Sequence, residues 1–255
     1  MADEPVRLAA VSYLNTRPLI HALLTGEVPG YNVVQDVPSH LPAMVQAGDT
    51  ALGLLPCGYC ALHPELSLVE GVGIACRGPV RSILLLTRRE ARLTEQIAVT
   101  KTSMSSVALL KLLLKEHFRS GAVVTPADDP VGELQSGRAD GALLIGDPAL
   151  QVEGEEWRTY DLGEEWFRLT GLPFVFALWA GPDRALIERV TPDLIRAMKI
   201  GRAAIPRLAE EAGPELGLPP GLCEDYLSNF IIHDVGPSEM QGYQLFKEML
   251  QSMAK

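Results

Sequence analysis

No stretch of the 255 residues reaches the roughly 18 uninterrupted apolar residues that a transmembrane helix needs. Residues 1–5 are acidic and include neither a basic region nor an apolar signal core, so we expect a cytoplasmic protein without membrane contact. No stripe of Lys and Arg stands out, and the formal net charge is −10, which argues against nucleic-acid binding. An anionic ligand would have to be held by local dipoles and a few cations, against the overall field.

Several sequence motifs of catalysis and cofactor binding are also missing. The five histidines are scattered and form no HxxxH or HExxH pair, so we expect no metal site. No GxGxxG, Walker or GxSxG pattern occurs, so nucleotide binding and serine hydrolysis lack their motifs. We therefore expect no cofactor, and a small-molecule ligand rather than a macromolecular partner.

Cysteine is scarce, but two of the four cysteines have CxxC spacing. Cys57 and Cys60 follow a strand-like run and stand where a helix could begin, which is the setting of a dithiol redox centre. The alternative is two small apolar side chains packed against a sheet, which is the commoner role of a buried cysteine. No second close Cys or His pair accompanies them, so zinc binding is disfavoured.

Strand-like and helix-like segments alternate along almost the whole chain, which predicts an α/β fold with helices covering parallel sheets. A long helix is predicted after residues 103–106, with Gly121 as its end, and a new helix is predicted to open at Thr191 and Pro192. The predicted strands comprise residues 6–11, 33–37, 51–55, 83–87, 96–99, 123–124, 142–145, 159–162 and, running back, 173–180.

This order of segments suggests two lobes joined by two crossings of the chain. The first lobe would contain residues 1–86 and 178–255, and the second, residues 87–177, would be inserted between them. Such a fold holds its ligand in the cleft and closes by a hinge. A single doubly wound domain is the competing prediction.

Three predicted helix starts have polar residues that could face one cleft. Residues 12–16 link the first strand to the first helix, a position where α/β folds bind ligands and where free N–H groups favour an anion. Asn15 would face the cleft, whereas Thr16 would mainly cap the helix. The second start, with Ser103, Ser105 and Ser106, could cradle a carboxylate or phosphate, or simply cap its helix.

Gly146 and Asp147 form the third start. Asp147 follows a buried strand, so it could face the ligand, or it could cap a helix that has Pro148 in its first turn. Arg81 and Ser82 precede the 83–87 strand, and alternation along a strand places only one of them towards the cleft. From the residue pattern alone, the prediction is a two-lobed, anion-binding protein.

Residues 11–19, VSYLNTRPL, resemble the amino-terminal signature of the chorismate dehydratase family of the futalosine route to menaquinone. Cys57 departs from the family, which tends to have Ser there, so the CxxC spacing looks incidental. The resemblance extends over both predicted lobes in the same order, at residues 48–56, 80–86, 139–147 and 161–177.

The resemblance implies a type II periplasmic-binding-protein fold and the loss of water from chorismate to give 3-[(1-carboxyvinyl)oxy]benzoate. It also implies that Asn15 and Ser82 are the residues important for turnover. The substrate's enolpyruvyl carboxylate would then take the proton, with Asp147 as the rival base. The other candidate substrate-binding residues are Thr16, Ser103, Ser105, Ser106, Gly146 and Asp147.

Two other functions fit the same pattern. One is the sister enzyme of the pathway, which forms 1,4-dihydroxy-6-naphthoate on a similar scaffold but differs in its amino-terminal motif. The other is a cytoplasmic protein that captures an anion without chemistry.

Overall fold

The computed structural model describes residues 4–101, 103–152 and 156–253, and in this part of the chain ten strands form two sheets. The first sheet has the order β2-β1-β3-β10-β4. Strand β1 is parallel to β2 and β3, whereas β10 is antiparallel to both of its neighbours. Its strands are β1 (Val6–Val11), β2 (Tyr31–Asp36), β3 (Leu52–Pro56), β4 (Ser67–Cys76) and β10 (Phe174–Gly181).

The second sheet has the order β7-β6-β8-β5-β9. Strand β6 is parallel to β7 and β8, and β5 is antiparallel to β8 and β9. Two separate sheets exclude the alternative of a single doubly wound domain. The strands are β5 (Ile83–Thr87), β6 (Gln96–Thr100), β7 (Val123–Ala127), β8 (Gly141–Ile145) and β9 (Arg158–Asp161).

Two segments lie in a different sheet from the one that the predicted lobe division assigned. Residues 83–86 were placed in the first lobe, but β5 pairs with β8 and β9 of the second sheet. Residues 174–177 were placed in the second lobe, but β10 pairs with β3 and β4 of the first sheet. Because hydrogen bonding decides which sheet a strand joins, we place the crossings at residues 77–82 and 171–173. The lobe boundaries themselves stay a prediction.

Helices flank both sheets. Those that follow strands of the second sheet are α4 (Met104–Glu116), α5 (Pro130–Gln135) and α6 (Leu162–Thr170). Short 3₁₀ turns occur at Leu14–Thr16 and Asp147–Gln151, and a π-helical turn occurs at Tyr226–Phe230. The remaining helices are α1 (Arg17–Leu24), α2 (Leu41–Gln46), α3 (Cys57–Leu62), α7 (Arg184–Ala203), α8 (Ile205–Leu216), α9 (Pro220–Asp225) and α10 (Pro237–Met253).

Helices α4 and α7 differ from their predictions. Helix α7 continues through Pro192, where the sequence predicted a new helix, because buried residues such as Ile187 and Leu194 anchor it on both sides of the proline. That packing outweighs the cost of about 3 kcal/mol for proline inside a helix. Helix α4 ends at Glu116 rather than at Gly121, and Arg119 takes the left-handed conformation, with φ of 54°.

Specific hydrogen bonds hold the chain at both crossings, near residues 80–81 and at residue 173. The Asp161 carboxylate accepts hydrogen bonds from the N–H groups of Val80, Arg81, Gly163 and Glu164 at 2.6 to 3.1 Å. It thereby fixes the chain immediately before Ser82. At the other crossing, the Trp166 indole donates a hydrogen bond of 3.1 Å to the Pro173 carbonyl. These hydrogen bonds fix the local course of the chain at both crossings.

Candidate active site

A cleft lies between the two sheets. Both polar and apolar side chains line it. The lining residues are Val11, Tyr13, Asn15, Pro38, Leu54, Pro56, Ile74, Val80, Ser82, Ile83, Ser103, Ser105, Ser106, Ile145, Gly146, Phe176 and Ala177.

Six of the eight predicted site residues line this cleft, although the first, Asn15, and the last, Gly146, are 131 positions apart in the sequence. They are brought together because β1, β5, β8 and helix α4 all present an end to the cleft. The six are Asn15, Ser82, Ser103, Ser105, Ser106 and Gly146. Thr16 and Asp147 are outside this set, and the catalytic or substrate-binding role of each of the eight stays a prediction.

A tyrosine that the sequence did not single out connects Asn15 to Ser82. The Asn15 amide nitrogen donates to the Tyr226 hydroxyl at 3.2 Å, and this hydroxyl donates to Ser82 Oγ at 2.8 Å. Tyr226 is 1% exposed, and burial raises the pKa of its hydroxyl well above the ordinary value. The phenol therefore remains protonated at neutral pH and can keep donating to Ser82.

Ser82 lines the cleft and its neighbour Arg81 does not, as predicted. The cause is a bend before β5 rather than strand alternation, since Arg81 takes the left-handed conformation, with φ of 60°. The Arg81 guanidinium pairs with Asp225 at 3.0 Å and lies over the Phe230 ring, 3.9 Å from the ring centroid. These contacts tie the turn that contains Tyr226 to the crossing that contains Ser82.

His233 fixes the backbone beneath Asn15. Its Nε2 lies 2.8 Å from the Asn15 carbonyl oxygen, while its buried Nδ1 has no hydrogen-bond partner. Burial lowers the pKa of His233 to about 4; Arg202 lowers it further, and the bond to Asn15 opposes the shift. The imidazole is therefore neutral at pH 7, with its proton on Nε2 donated to Asn15.

A cluster of three serines at the start of α4, Ser103, Ser105 and Ser106, also lines the cleft. Ser103 occupies the N-cap position, yet its side chain makes no capping bond; its hydroxyl donates to Ser106 Oγ at 3.1 Å. Ser105 Oγ accepts the Gly58 N–H at 3.0 Å and also forms a hydrogen bond with the Cys57 thiol. The binding of an anion by these serines stays a prediction, at a helix end whose dipole attracts anions.

Asp147 contacts the opposite lobe rather than the cleft. Its two carboxylate oxygens lie 3.1 and 3.3 Å from the Leu14 nitrogen, which donates to them at the start of the turn before α1. Burial raises the pKa of this carboxyl, although the Leu14 N–H and the nearby Arg17 act to lower it. Asp147 therefore bridges the lobes next to Asn15.

Thr16 is fully buried and stands at the N-cap of α1, but its hydroxyl makes no capping bond. The hydroxyl lies 3.4 Å from Asn15 Oδ1, to which it donates. The capping role predicted for Thr16 is therefore wrong: the 3₁₀ turn before α1 puts its backbone in a helical conformation, so the side chain cannot reach back to the helix N–H groups.

Gly146 allows the second lobe to approach the first. Its φ is +77°, and a Cβ atom at this position would lie 2.9 Å from the Tyr13 ring. A larger residue would therefore strain the backbone and displace Tyr13 from the cleft wall.

The CxxC cysteines do not have the character of a redox centre. Cys57 and Cys60 are buried, and both are free thiols. Burial raises the pKa of the Cys57 thiol far above its ordinary value and that of Cys60 to about 12. A reactive dithiol needs the opposite shift, because the thiolate is the nucleophile.

Both thiols are therefore expected to resist alkylation in the folded protein. Reaction of Cys60 with iodoacetamide at pH 7 should be roughly a thousandfold slower than that of an exposed thiol, since a shift of about 3 pKa units lowers the thiolate fraction by that factor. Mass spectrometry of labelled peptides, with the urea-unfolded protein as control, measures this. Fast labelling of either cysteine in the folded state would restore the redox interpretation.

Residues 4–101, 103–152 and 156–253 contain no group of three or more His, Cys, Asp or Glu side chains that could hold a metal ion. In the same described part of the chain, no helix is both long and apolar enough to cross a membrane.

Sequence reasoning missed Tyr226, His233 and Tyr13. Tyr226 and His233 lie in the carboxyl-terminal part of the chain, which was predicted only as helical segments, more than 200 positions from Asn15. No local pattern distinguishes them from other buried aromatic residues. Tyr13 stands inside the matched VSYLNTRPL stretch, so its place in the motif was the one available signal.

Comparisons with known proteins agree with this architecture. The curated chorismate dehydratase of Thermus thermophilus is 32% identical over 270 residues, covering 97% of this chain and 96% of that protein. A crystal structure of an Archaeoglobus fulgidus protein matches with a TM-score of 0.76 at 18% identity, covering 100% of this chain and 99% of that one.

Structures with lower identity show the fold. The aliphatic sulphonate binding protein SsuA of Escherichia coli, a periplasmic protein, has a TM-score of 0.66 at 17% identity, with 99% and 88% of the two chains covered. A Candida albicans protein with the generic periplasmic-binding-protein fold has a TM-score of 0.64 at 9% identity, with 98% and 91% covered. The predicted two-lobed, periplasmic-binding-protein-like fold is confirmed. A family model described as menaquinone biosynthesis matches residues 6–252, and the chain therefore belongs to this menaquinone biosynthesis family.

Proposed function

We propose that this protein is an enzyme of menaquinone biosynthesis, a hydro-lyase that removes water from chorismate to give 3-[(1-carboxyvinyl)oxy]benzoate. The observation that carries the proposal is that Asn15, Ser82 and the serines at the start of α4 line one cleft. The whole-length similarity to the Thermus thermophilus chorismate dehydratase supports the same substrate and reaction.

The cleft suits a small dicarboxylate with an apolar ring. Chorismate has two carboxylates, and the hydrogen-bond donors that line the cleft come from two parts of the chain: Asn15 and Ser82, and the serines of α4. One carboxylate would lie against Ser103, Ser105 and Ser106, where hydroxyls and the α4 dipole favour negative charge. The ring would lie between apolar residues such as Leu54, Ile74 and Phe176.

The reaction requires little from the protein beyond the positioning of the substrate. A ring C–H bond and a neighbouring C–O bond break, the electron pair of the C–H bond completes the aromatic ring, and hydroxide leaves with a proton as water. Aromatisation supplies the driving force, so orientation and hydrogen bonds to developing charge can suffice. Ser82 accepts a hydrogen bond from the Tyr226 hydroxyl. Its own hydroxyl can therefore donate a hydrogen bond to the departing hydroxyl of the substrate.

The substrate's enolpyruvyl carboxylate is the base that we favour. Asp147, the rival, already accepts the Leu14 N–H through both oxygens and is outside the set of lining residues. Asn15 then has the task of orienting the substrate so that its carboxylate reaches the ring proton. We also propose that the enzyme acts in the cytoplasm, a reducing compartment that suits its four free thiols.

The test is incubation of the purified protein with chorismate and chromatography for the aromatic product, with a protein-free control for spontaneous breakdown. We expect 3-[(1-carboxyvinyl)oxy]benzoate to accumulate in proportion to protein concentration. Stable chorismate binding without product would instead indicate an anion-binding protein. Neither binding nor product would favour the sister enzyme that forms 1,4-dihydroxy-6-naphthoate.

A further inference from the structure

Tyr226 is the residue on which the two predicted catalytic side chains converge. It begins the π-helical turn after α9, 211 positions from Asn15 and 144 from Ser82. Its hydroxyl is the group within hydrogen-bond distance of both. Tyr226 is buried, and its hydroxyl bonds to two residues that line the cleft.

The hydrogen bonds run in one direction. A phenol has one proton, and Tyr226 donates it to Ser82 Oγ. Its oxygen accepts from the Asn15 amide nitrogen, so the orientation of the amide is defined and Thr16 can donate to Oδ1 on its other side. Because Ser82 already accepts a bond, its own proton is directed elsewhere, towards the ligand space.

The turn that contains Tyr226 is attached to the crossing next to Ser82. Arg81 pairs with Asp225, the residue before the tyrosine, and covers the ring of Phe230 at the end of the turn. Arg81 therefore contacts one residue on each side of Tyr226 and connects the turn to the residue next to Ser82. These contacts are outside the cleft, so they can act without touching a ligand.

From this geometry we infer that Tyr226 is a positioning residue for the proposed dehydration, which sets the orientation of the Asn15 amide and the Ser82 hydroxyl through its two hydrogen bonds. The inference rests on the proposed function. Tyr226 is outside the set of residues that line the cleft, so it acts on the substrate through its two partners.

The test is Tyr226→Phe, which keeps the buried ring and removes the hydroxyl. We expect kcat for chorismate to fall roughly 10- to 100-fold, the usual cost of misplaced catalytic groups, with KM changed less than about 3-fold. The matched control is Tyr31→Phe, which also removes a tyrosine hydrogen bond, to Asp193 at 2.9 Å, but away from the cleft. Circular dichroism and the melting temperature establish folding for both variants.

A structural effect is distinguished from positioning by combining changes. In a Ser82→Ala, Asn15→Ala background, Tyr226→Phe should cost little more, because the tyrosine then has no partner through which to act. If Tyr226→Phe lowers kcat by the same factor in this background as in the wild-type protein, the hydroxyl acts through other groups, and the inference is overturned. So would a Tyr226→Phe enzyme with wild-type kcat.

If Tyr226→Phe does not fold, the Asn15→Ala and Ser82→Ala pair tests the same connection with the tyrosine in place. Each change frees the tyrosine hydroxyl from one bond, so the double variant should lose less than the product of the two single losses. A double variant whose loss of kcat equals the product of the two single losses overturns the inference. A wild-type protein that forms no aromatic product contradicts the proposed function itself, whereas wild-type turnover with an unaffected Tyr226→Phe variant contradicts the inference alone.

Discussion

Replacement of Asn15 by Ala is expected to lower kcat for chorismate dehydration by about 100- to 1,000-fold, the usual effect of removing a hydrogen-bond donor from a developing charge. The amide lines the cleft and is held on both sides by Tyr226 and Thr16. Alanine removes the donor and leaves the Tyr226 hydroxyl with one bond fewer. Steady-state kinetics with chorismate, followed by product chromatography, measures the loss.

The matched comparison is Asp147→Asn, in a residue that contacts the same turn. An asparagine oxygen can still accept the Leu14 N–H, so the bridge between the lobes should survive. Because the substrate carboxylate is the proposed base, we expect this variant to keep turnover within about 5-fold of wild type. A loss as large as that of Asn15→Ala would contradict that base and assign proton removal to Asp147.

The free energy of unfolding is expected to fall by about 3 kcal/mol through His233 as the pH drops from 6.5 to 4, at 1.36 kcal/mol for each unit of pKa shift. The folded protein keeps this imidazole neutral, with a pKa of about 4, whereas the unfolded chain binds a proton near the ordinary value of 6.5. Between pH 4 and pH 6.5 the unfolded chain therefore binds more protons at His233 than the folded protein does. The stabilisation is complete above pH 6.5 and is lost progressively as the pH falls to 4.

Urea unfolding at several pH values between 4 and 8 measures this dependence, with His233→Gln as the comparison. Glutamine can donate to the Asn15 carbonyl but does not titrate. Asp147 and Asp161 have raised pKa values, so their contribution runs the other way, with stability falling as the pH rises through their titration. The difference between the two proteins isolates His233, and equal slopes would contradict a neutral buried imidazole.

Much of the secondary structure could be predicted because the signals are local. The apolar runs of β1, β3, β5 and β8 are short and bounded by polar residues, and all four strands lie where the sequence places them, within one or two residues. Their alternation with helices correctly predicted the α/β class and the strand that runs back as β10.

The ten-residue strand β4 was not predicted, because its sequence contains two glycines, which are unfavourable inside a strand. Gly71 has φ of +82°, and the pairing of β4 with β10 shifts register twice. Gly73 is required by close approach, since a Cβ atom there would lie 2.7 Å from the Ala177 carbonyl oxygen. Glycine weakens the strand signal, and only the neighbouring strand shows why it is needed.

The chain by itself determined which residues could bind an anion. Asn15, Ser82 and the serines of α4 are polar residues at the ends of apolar segments, a local property that a one-dimensional pattern contains. The tertiary structure alone decided how they act together: it turned Asp147 away to Leu14, left Thr16 buried, and brought Tyr226 between Asn15 and Ser82. The physical reason is that these contacts span 133 to 211 positions and depend on how the two sheets meet, which no local pattern encodes.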